Sequence, residues 1–311
     1  MTAGGSGRDP ASGHLPVTQS PAHLPVMYGQ VLEGLQVKGE GSYLDGTFGR
    51  GGHARGVLQQ LGPGGRLLLM DKDPEAIAVA EREFGGDPRV SIFRGSFAQL
   101  AQWEATADGL DGILLDLGVS SLQFDTASRG FSFQREGPLD MRMSPQIPRT
   151  AKELIQGSGE RDLEWIFREY GEEPRARRIA QAIVRARGEP GSDILESTRA
   201  LGDFVERLIG RHGRTHPATR VFQALRIAVN GELEKLKKFL GLFDKYLGSG
   251  ARCAVISFHS LEDRLVKRDF KAKAAGGTMR IVTKKPVRAA RAEVLENPRS
   301  RSAKLRVIEK V

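Results

Sequence analysis

Cysteine occurs once in 311 residues, and there is no run of roughly 18 apolar residues, the length a membrane-crossing helix needs. The first scarcity excludes a disulfide framework. No Cys or His cluster with metal-ligand spacing occurs either, so no metal is expected. Met1 to Pro21 is rich in Gly, Pro, Ser and Thr and lacks the apolar centre of a signal peptide. That stretch is expected to be a disordered tail. Cys253 sits inside an apolar, strand-like run and is expected to be a small core residue. These features fit a cytoplasmic protein, and no internal repeat is visible.

Charge of one sign is in short supply at one end of the chain. The whole sequence has 47 Lys and Arg against 38 Asp and Glu, a net of +9. From Arg264 to Val311 there are 15 basic residues and four acidic ones, so the remaining chain is slightly negative. All of the excess positive charge lies in the last 48 residues. A solvated basic face would account for an ordinary charge run, but this asymmetry favours a polyanionic partner, with nucleic acid the natural candidate.

The most informative stretch is residues 42–73. Short apolar runs end in acids at Asp45 and Asp71, and a glycine-dense turn lies between them. That order predicts strand, tight loop, helix, strand: the opening of a nucleotide-binding α/β unit. Asp71, at the tip of the second strand, is placed to accept from ribose hydroxyls. Gly49, Gly51 and Ala54 fit the G-x-G-x-x-A form of the dinucleotide fingerprint, although such a turn also occurs as a plain tight connection. Two details lean away from a pyrophosphate. Gly52 and His53 stand where small residues usually open the helix, and Asp45 adds a carboxylate that suits a cation. The balance favours S-adenosylmethionine (SAM) over NAD. A nicotinamide-dependent oxidoreductase is the alternative, but it leaves the basic C-terminus unexplained.

Further along, Asp73 as N-cap and Pro74 at the first position open a helix through Phe84. Val90 to Phe93 reads as a third strand, followed by a short helix from Phe97 to Trp103. Gly112 to Leu117 is a fourth, with Asp116 near its carboxyl end. Strand–helix alternation of this kind predicts a parallel sheet with its ligand crevice at the carboxyl ends, bordered by Asp45, Asp71, Phe97 and Asp116. Residues 138–216 read instead as a helical insertion, with segments at Ala151 to Leu154, Asp162 to Tyr170, Pro174 to Ala186 and Thr198 to Ile209. Extended to Arg187, the third carries five arginines beside apolar residues, either a soluble surface or an RNA contact. Sheet logic returns with a long amphipathic stretch from Phe222 to Phe243, a buried strand at Ala251 to Phe258, and Ser260 with Asp263 as a capping box. Met279 to Thr283 and Leu305 to Ile308 are expected as two late antiparallel strands. The fold expected is therefore α/β, with a discontinuous core over residues 22–137 and 217–311.

Several longer strings are distinctive. They are Tyr43 to His53 (YLDGTFGRGGH), Ile113 to Ser121 (ILLDLGVSS), Arg129 to Phe133 (RGFSF), Gly137 to Met143 (GPLDMRM), His216 to Arg220 (HPATR) and Ile256 to Arg264 (ISFHSLEDR). From about His23 onward the chain closely resembles the MraW (RsmH) family of SAM-dependent 16S ribosomal RNA methyltransferases. The resemblance implies a Rossmann-like methyltransferase sheet with an inserted helical domain for substrate recognition. It further implies methylation of the exocyclic N4 of a cytosine in the decoding region, with 16S rRNA in the small ribosomal subunit as partner. Carried over by position, the SAM contacts are Gly51, Gly52, His53, Asp71, Phe97, Asp116 and Gln123. The Asp/Asn-Pro-Pro-Tyr string of many amino-methyltransferases is absent, and Asp116 to Ser121 stands in its place. Candidate acceptors for the amine N–H groups are Asp116 and the Ser120–Ser121 turn, although the reading of Asp116 as serving only the cofactor is preferred. His259 is a candidate proton relay or a cap.

Overall fold

The computed structural model describes Met1, residues 25–211 and residues 216–311. The tail expected over residues 1–21 falls, past Met1, outside the described residues.

Seven strands form one sheet: β1 (Ser42–Asp45), β2 (Arg66–Asp71), β3 (Val90–Arg94), β4 (Leu110–Asp116), β5 (Leu247–Ser257), β6 (Met279–Ile281) and β7 (Lys304–Lys310). Their order is β3-β2-β1-β4-β5-β7-β6. The first five are mutually parallel, and β7 runs antiparallel between β5 and β6. The order reverses at β1, whose neighbours are β2 on one side and β4 on the other. Such a reversal opens a crevice beyond the carboxyl ends of the strands.

The helices are α1 (Tyr28–Leu35), α2 (Gly52–Gln60), α3 (Pro74–Phe84), α4 (Ser121–Asp125), α5 (Ala151–Gly157), α6 (Glu160–Glu169), α7 (Ala176–Arg187), α8 (Thr198–Ile209), α9 (Ala218–Asn230), α10 (Glu232–Leu240), α11 (Ser260–Ala275) and α12 (Arg291–Glu296). They explain the unbroken apolar run Leu67 to Met70, because a parallel sheet is covered on both faces. Leu67 and Leu69 pack with Tyr43, Leu114 and Ile256 under α1, α2 and α3. Leu68 and Met70 point the other way, toward Leu44, Val255 and the apolar faces of α10 and α11. Cys253 is buried in that second layer, as expected, and burial pushes its thiol pKa well up.

A separate cluster gathers α5 to α8, the loop residues Phe131 to Met143, and the first half of α9. Asn230 ties this helical unit to its own loop, accepting from the Met143 N–H at 2.8 Å and donating to the Met141 carbonyl at 2.8 Å. Glu172 joins it to α11 by accepting from Ser260 and, at 2.6 Å, from Arg264.

Three local features go beyond or depart from the residue patterns. The stretch from Phe222 to Phe243 is not one helix: Gly231, at φ 58°, ends α9 and starts α10. The capping box of α11 shifts by one residue. His259 is the N-cap with Glu262 opposite it, while Asp263 binds Arg306 at 2.7 Å and Lys304 at 3.1 Å. Helix α1, which periodicity did not reveal, covers β5 and β7, and the Gly34 carbonyl accepts from Arg252 at 3.1 Å.

Gly51 shows why the turn after β1 needs glycine. Its φ is 71°, and an added Cβ would lie 2.6 Å from Phe48 and 2.9 Å from Phe84. Left-handed strain of about 1–2 kcal/mol and overpacking of about 1–3 kcal/mol then act together. Gly51→Ala should lower unfolding free energy by about 2–4 kcal/mol in urea titrations. Gly86→Ala, with open space around it, should change it little; equal effects would refute this reading of the turn.

Candidate functional site

The crevice at the sheet reversal is a cavity of about 1420 Å³. Its floor is built from the turn after β1, which is stapled to both neighbouring strands. The Gly46 N–H donates to the Leu114 carbonyl at 2.9 Å, and the Phe48 N–H to the Met70 carbonyl at 3.1 Å. The Asp116 N–H donates to Thr47 Oγ1 at 2.6 Å. Of the strand-end carboxylates expected to border the crevice, Asp71 and Asp116 line it, whereas Asp45 is buried and does not.

Asp45, at the tip of β1, is buried, and its Oδ1 accepts from the Thr47 N–H at 3.1 Å. Burial raises its pKa to about 7; His53 opposes the shift, and Asp116 and Asp71 add to it. Asp71 accepts from the Gly49 N–H at 2.9 Å on one oxygen and from the Asp73 N–H at 2.9 Å on the other. Burial raises this carboxyl as well, and those two N–H groups hold the rise down. Each oxygen can accept a further hydrogen bond, and Asp71 lines the cavity. Asp116 presents Oδ2 at 3.6 Å from His53 Nε2. Asp116 Oδ1 and both ring nitrogens of His53 are buried without a hydrogen-bond partner among the described residues. Unsatisfied buried polar atoms at one spot mark a place where a ligand completes the bonding.

Gly52, His53, Asp71, Phe97, Asp116, Ser120 and Gln123 all line this cavity. Gly51 does not; it sits behind the lining as the N-cap of α2, wedged against Phe48 and Phe84. Phe97 opens a short 3-10 segment (Phe97–Gln102) after β3 and meets Phe239 edge to face at 5.8 Å. Ser120 and Gln123 form the capping box of α4, with the Gln123 N–H donating to Ser120 Oγ at 3.3 Å. Gln123 Nε2 donates to Asp73 at 2.7 Å, and Arg129 reaches the same carboxylate at 2.9 Å. The side chain of Ser121 lies outside the described residues. His259 caps α11, its Nε2 3.2 Å from Glu262.

Lys72, Glu232, Lys235 and Arg299 also line the cavity, and residue patterns did not reveal them. Lys72 follows Asp71 directly, yet burial drops its pKa to about 8, with Glu232 opposing the shift and Lys235 adding to it. Glu232, His259 and Glu262 place ligand-type atoms within 4.8 Å of one another. Arg226 already grips both Glu232 oxygens at 2.9 Å, so this group is an ion-paired network in which a metal would face a guanidinium.

The profile of the MraW methylase family matches residues 20–311. The chain belongs to that family. It is 56% identical to the ribosomal RNA small subunit methyltransferase H of Stenotrophomonas maltophilia (strain K279a), an alignment covering 96% of this chain and 97% of that protein. It is 54% identical to the protein of the same name from Xanthomonas axonopodis pv. citri (strain 306), over 95% of this chain and 90% of the relative. A solved putative rRNA-methylase from Clostridium thermocellum superposes with a TM-score of 0.46 at 12% identity, over 91% of this chain and 96% of that one. The family and the Rossmann-like seven-stranded sheet make this chain a methyltransferase whose cofactor is SAM.

The residues present suit that cofactor, since unpartnered Asp116 Oδ1 and the acids around it favour a cation, and the glycine turn leaves the backbone open. Among the described residues no helix is long and apolar enough to cross a membrane.

The raised Asp45 carboxyl has a consequence for the free protein. Its folded pKa, about 7, lies above the ordinary 3.8, so the folded state binds this proton more tightly than the unfolded chain does. Its contribution to stability is fully present at acid pH and is lost as pH rises from about 4 to about 7. Urea titrations at pH 5 and pH 8 should therefore show a smaller pH-dependent loss in Asp45→Asn than in the parent. Parallel losses would remove Asp45 as the cause.

Proposed function

We propose that this chain transfers the methyl group of SAM to the exocyclic N4 of a cytosine in the decoding region of 16S rRNA. The observation that carries the reading is the cavity lined by Asp71, Asp116 and His53, where Asp116 Oδ1 and both His53 ring nitrogens have no partner among the described residues. Bound SAM supplies an activated methyl carbon on a positively charged sulfur. The protein's part is mainly alignment, which converts an encounter into an in-line reaction.

Asp71, its oxygens oriented by Gly49 and Asp73, accepts from the ribose hydroxyls. Phe97 offers a ring to the adenine. The backbone of Gly52 and the side chain of His53 lie along the turn that faces the cofactor's polar tail, with Gly51 setting that turn's shape and Gln123 holding the opposite wall. Asp116 and the Ser120 hydroxyl line the cavity, where they can accept an amine N–H and so favour the pyramidal, nucleophilic form of the nitrogen. His259, engaged as a helix cap, is better placed to hold Glu262 than to carry the proton.

A nicotinamide dinucleotide is the second reading. The common dinucleotide sheet continues parallel past β5, whereas here antiparallel β7 takes that place. The base must leave its stack to reach the cavity. Exposed Lys284, Lys285 and Arg288, between β6 and α12, and the arginines of α7 suit contacts to the surrounding phosphates. A substrate in the small ribosomal subunit also places the protein in the cytoplasm.

Mass spectrometry of unmethylated 16S rRNA incubated with the protein and SAM should show one methyl on a decoding-region cytosine. Asp71→Ala should abolish this at low SAM, weaken SAM binding by at least tenfold and leave RNA affinity nearly intact. Methylation at another base, or equal losses of SAM and RNA binding, would overturn the assignment.

A further inference from the structure

Beyond the cofactor cavity lies a second groove, of about 540 Å³, between the helical unit and the C-terminal segment. Its lining includes Phe133, Arg199, Asp203, Arg211, His216 and Arg301. The three arginines are exposed, and none has a carboxylate partner among the described residues. The nearest fixed contact is a 3.5 Å approach of Arg199 to the Gln134 carbonyl. Elsewhere in the same region arginines are consumed in pairs, as Arg306 is by Asp263 and Arg280 by Glu309. Against three guanidinium groups the groove sets one carboxylate, Asp203.

The wall between these arginines is rigid. Phe133 and His216 pack with tilted rings, centres 4.5 Å apart, and Phe222 backs Phe133 edge to face at 5.0 Å. His216 is pinned by Glu206 at 3.3 Å and by the Ala218 N–H, which donates to its Nδ1 at 3.2 Å.

The groove is joined to the cavity by one short turn, Pro298–Ser302. On the cavity side, Arg299 pairs with Asp125 at 2.8 Å and covers Phe124 at 4.8 Å. On the groove side stands Arg301. Ser300, buried between them, donates to the Asn297 carbonyl at 2.8 Å and locks the turn. Two residues of a 3-10 turn advance only about 4 Å, so a strand leaving the cavity mouth meets the groove within a nucleotide or two.

We infer that this groove is a phosphate-binding subsite for the single-stranded RNA flanking the target base, held by Arg199, Arg211 and Arg301. The inference rests on the RNA-methyltransferase reading above and extends it to a surface on the helical unit. Each phosphate neutralised on a single strand adds about 0.7 to the salt slope of binding, so three contacts give a change of about 2. Over a tenfold change in salt that slope corresponds to roughly 100-fold in affinity.

The test compares the full chain with R199Q/R211Q/R301Q, and with R301Q alone in case the triple variant folds poorly. Binding of an unmethylated 16S rRNA fragment is measured from 0.05 to 0.3 M salt, and SAM binding is measured separately. The triple variant should show a slope smaller by about 2, a raised KM for RNA, a kcat within about twofold of the parent and unchanged SAM affinity. R301Q should show about one third of the slope change. Unchanged RNA affinity and slope, with SAM binding intact, would overturn the subsite. If the slope falls as expected but the parent methylates no cytosine, the groove stands and the methyl-transfer reading fails.

Discussion

Three carboxylates held at the ends of adjacent parallel strands, partly out of water, are the constraint on which the rest of this structure depends. Burial raises the carboxyls of Asp45, to about 7, and of Asp71, and the neighbouring carboxylates add a smaller push to Asp45. The arrangement persists because the backbone over-determines it. Gly49 and Asp73 N–H groups fix Asp71, the Thr47 N–H fixes Asp45, and the Thr47 hydroxyl ties the turn to β4. A cationic nucleoside relieves the repulsion and supplies partners for the atoms left unbonded. Cofactor affinity and the cost of holding these acids together then have one origin.

Around that centre the chain arranges two polar seams. Asp73 takes bonds from Gln123 and Arg129, which locks α4 and the loop before the helical unit onto the start of α3. Arg226, Glu232, His259 and Glu262 form the other seam, where α9, α10 and α11 meet. Removing one member of such a buried network leaves an uncompensated charge, so these residues resist substitution for structural reasons. The helical unit is thus held at the cavity mouth, next to the basic C-terminal segment.

Much of this was legible in the residues. The strands announce themselves as apolar runs ending in Asp45, Asp71 and Asp116, and Asp73-Pro74 marks the start of α3 with the cap the structure shows. The antiparallel pairing of β6 with β7 was also readable. Other features depend on tertiary contact that a local pattern does not carry. Helix α1 has a short apolar face that makes sense only against β5 and β7. The break at Gly231 hides in a continuous three- and four-residue spacing, and the true cap of α11 is a histidine, a residue type the usual capping pattern passes over. Gly51 reads as a lining residue in the motif but acts by packing against Phe48 and Phe84. Lys72 and Glu232 are far apart in the chain and reach the cavity only through the fold.

The central claim is that the strand-end acids recognise a cation. Isothermal titration of SAM into the protein at pH 7, run in two buffers of different ionisation enthalpy, tests it directly. With Asp45 near half-protonation in the free protein, binding should release up to about half a proton per SAM, and the two observed heats should differ accordingly. Binding heats that are identical in the two buffers, or no binding heat at all, would contradict the account.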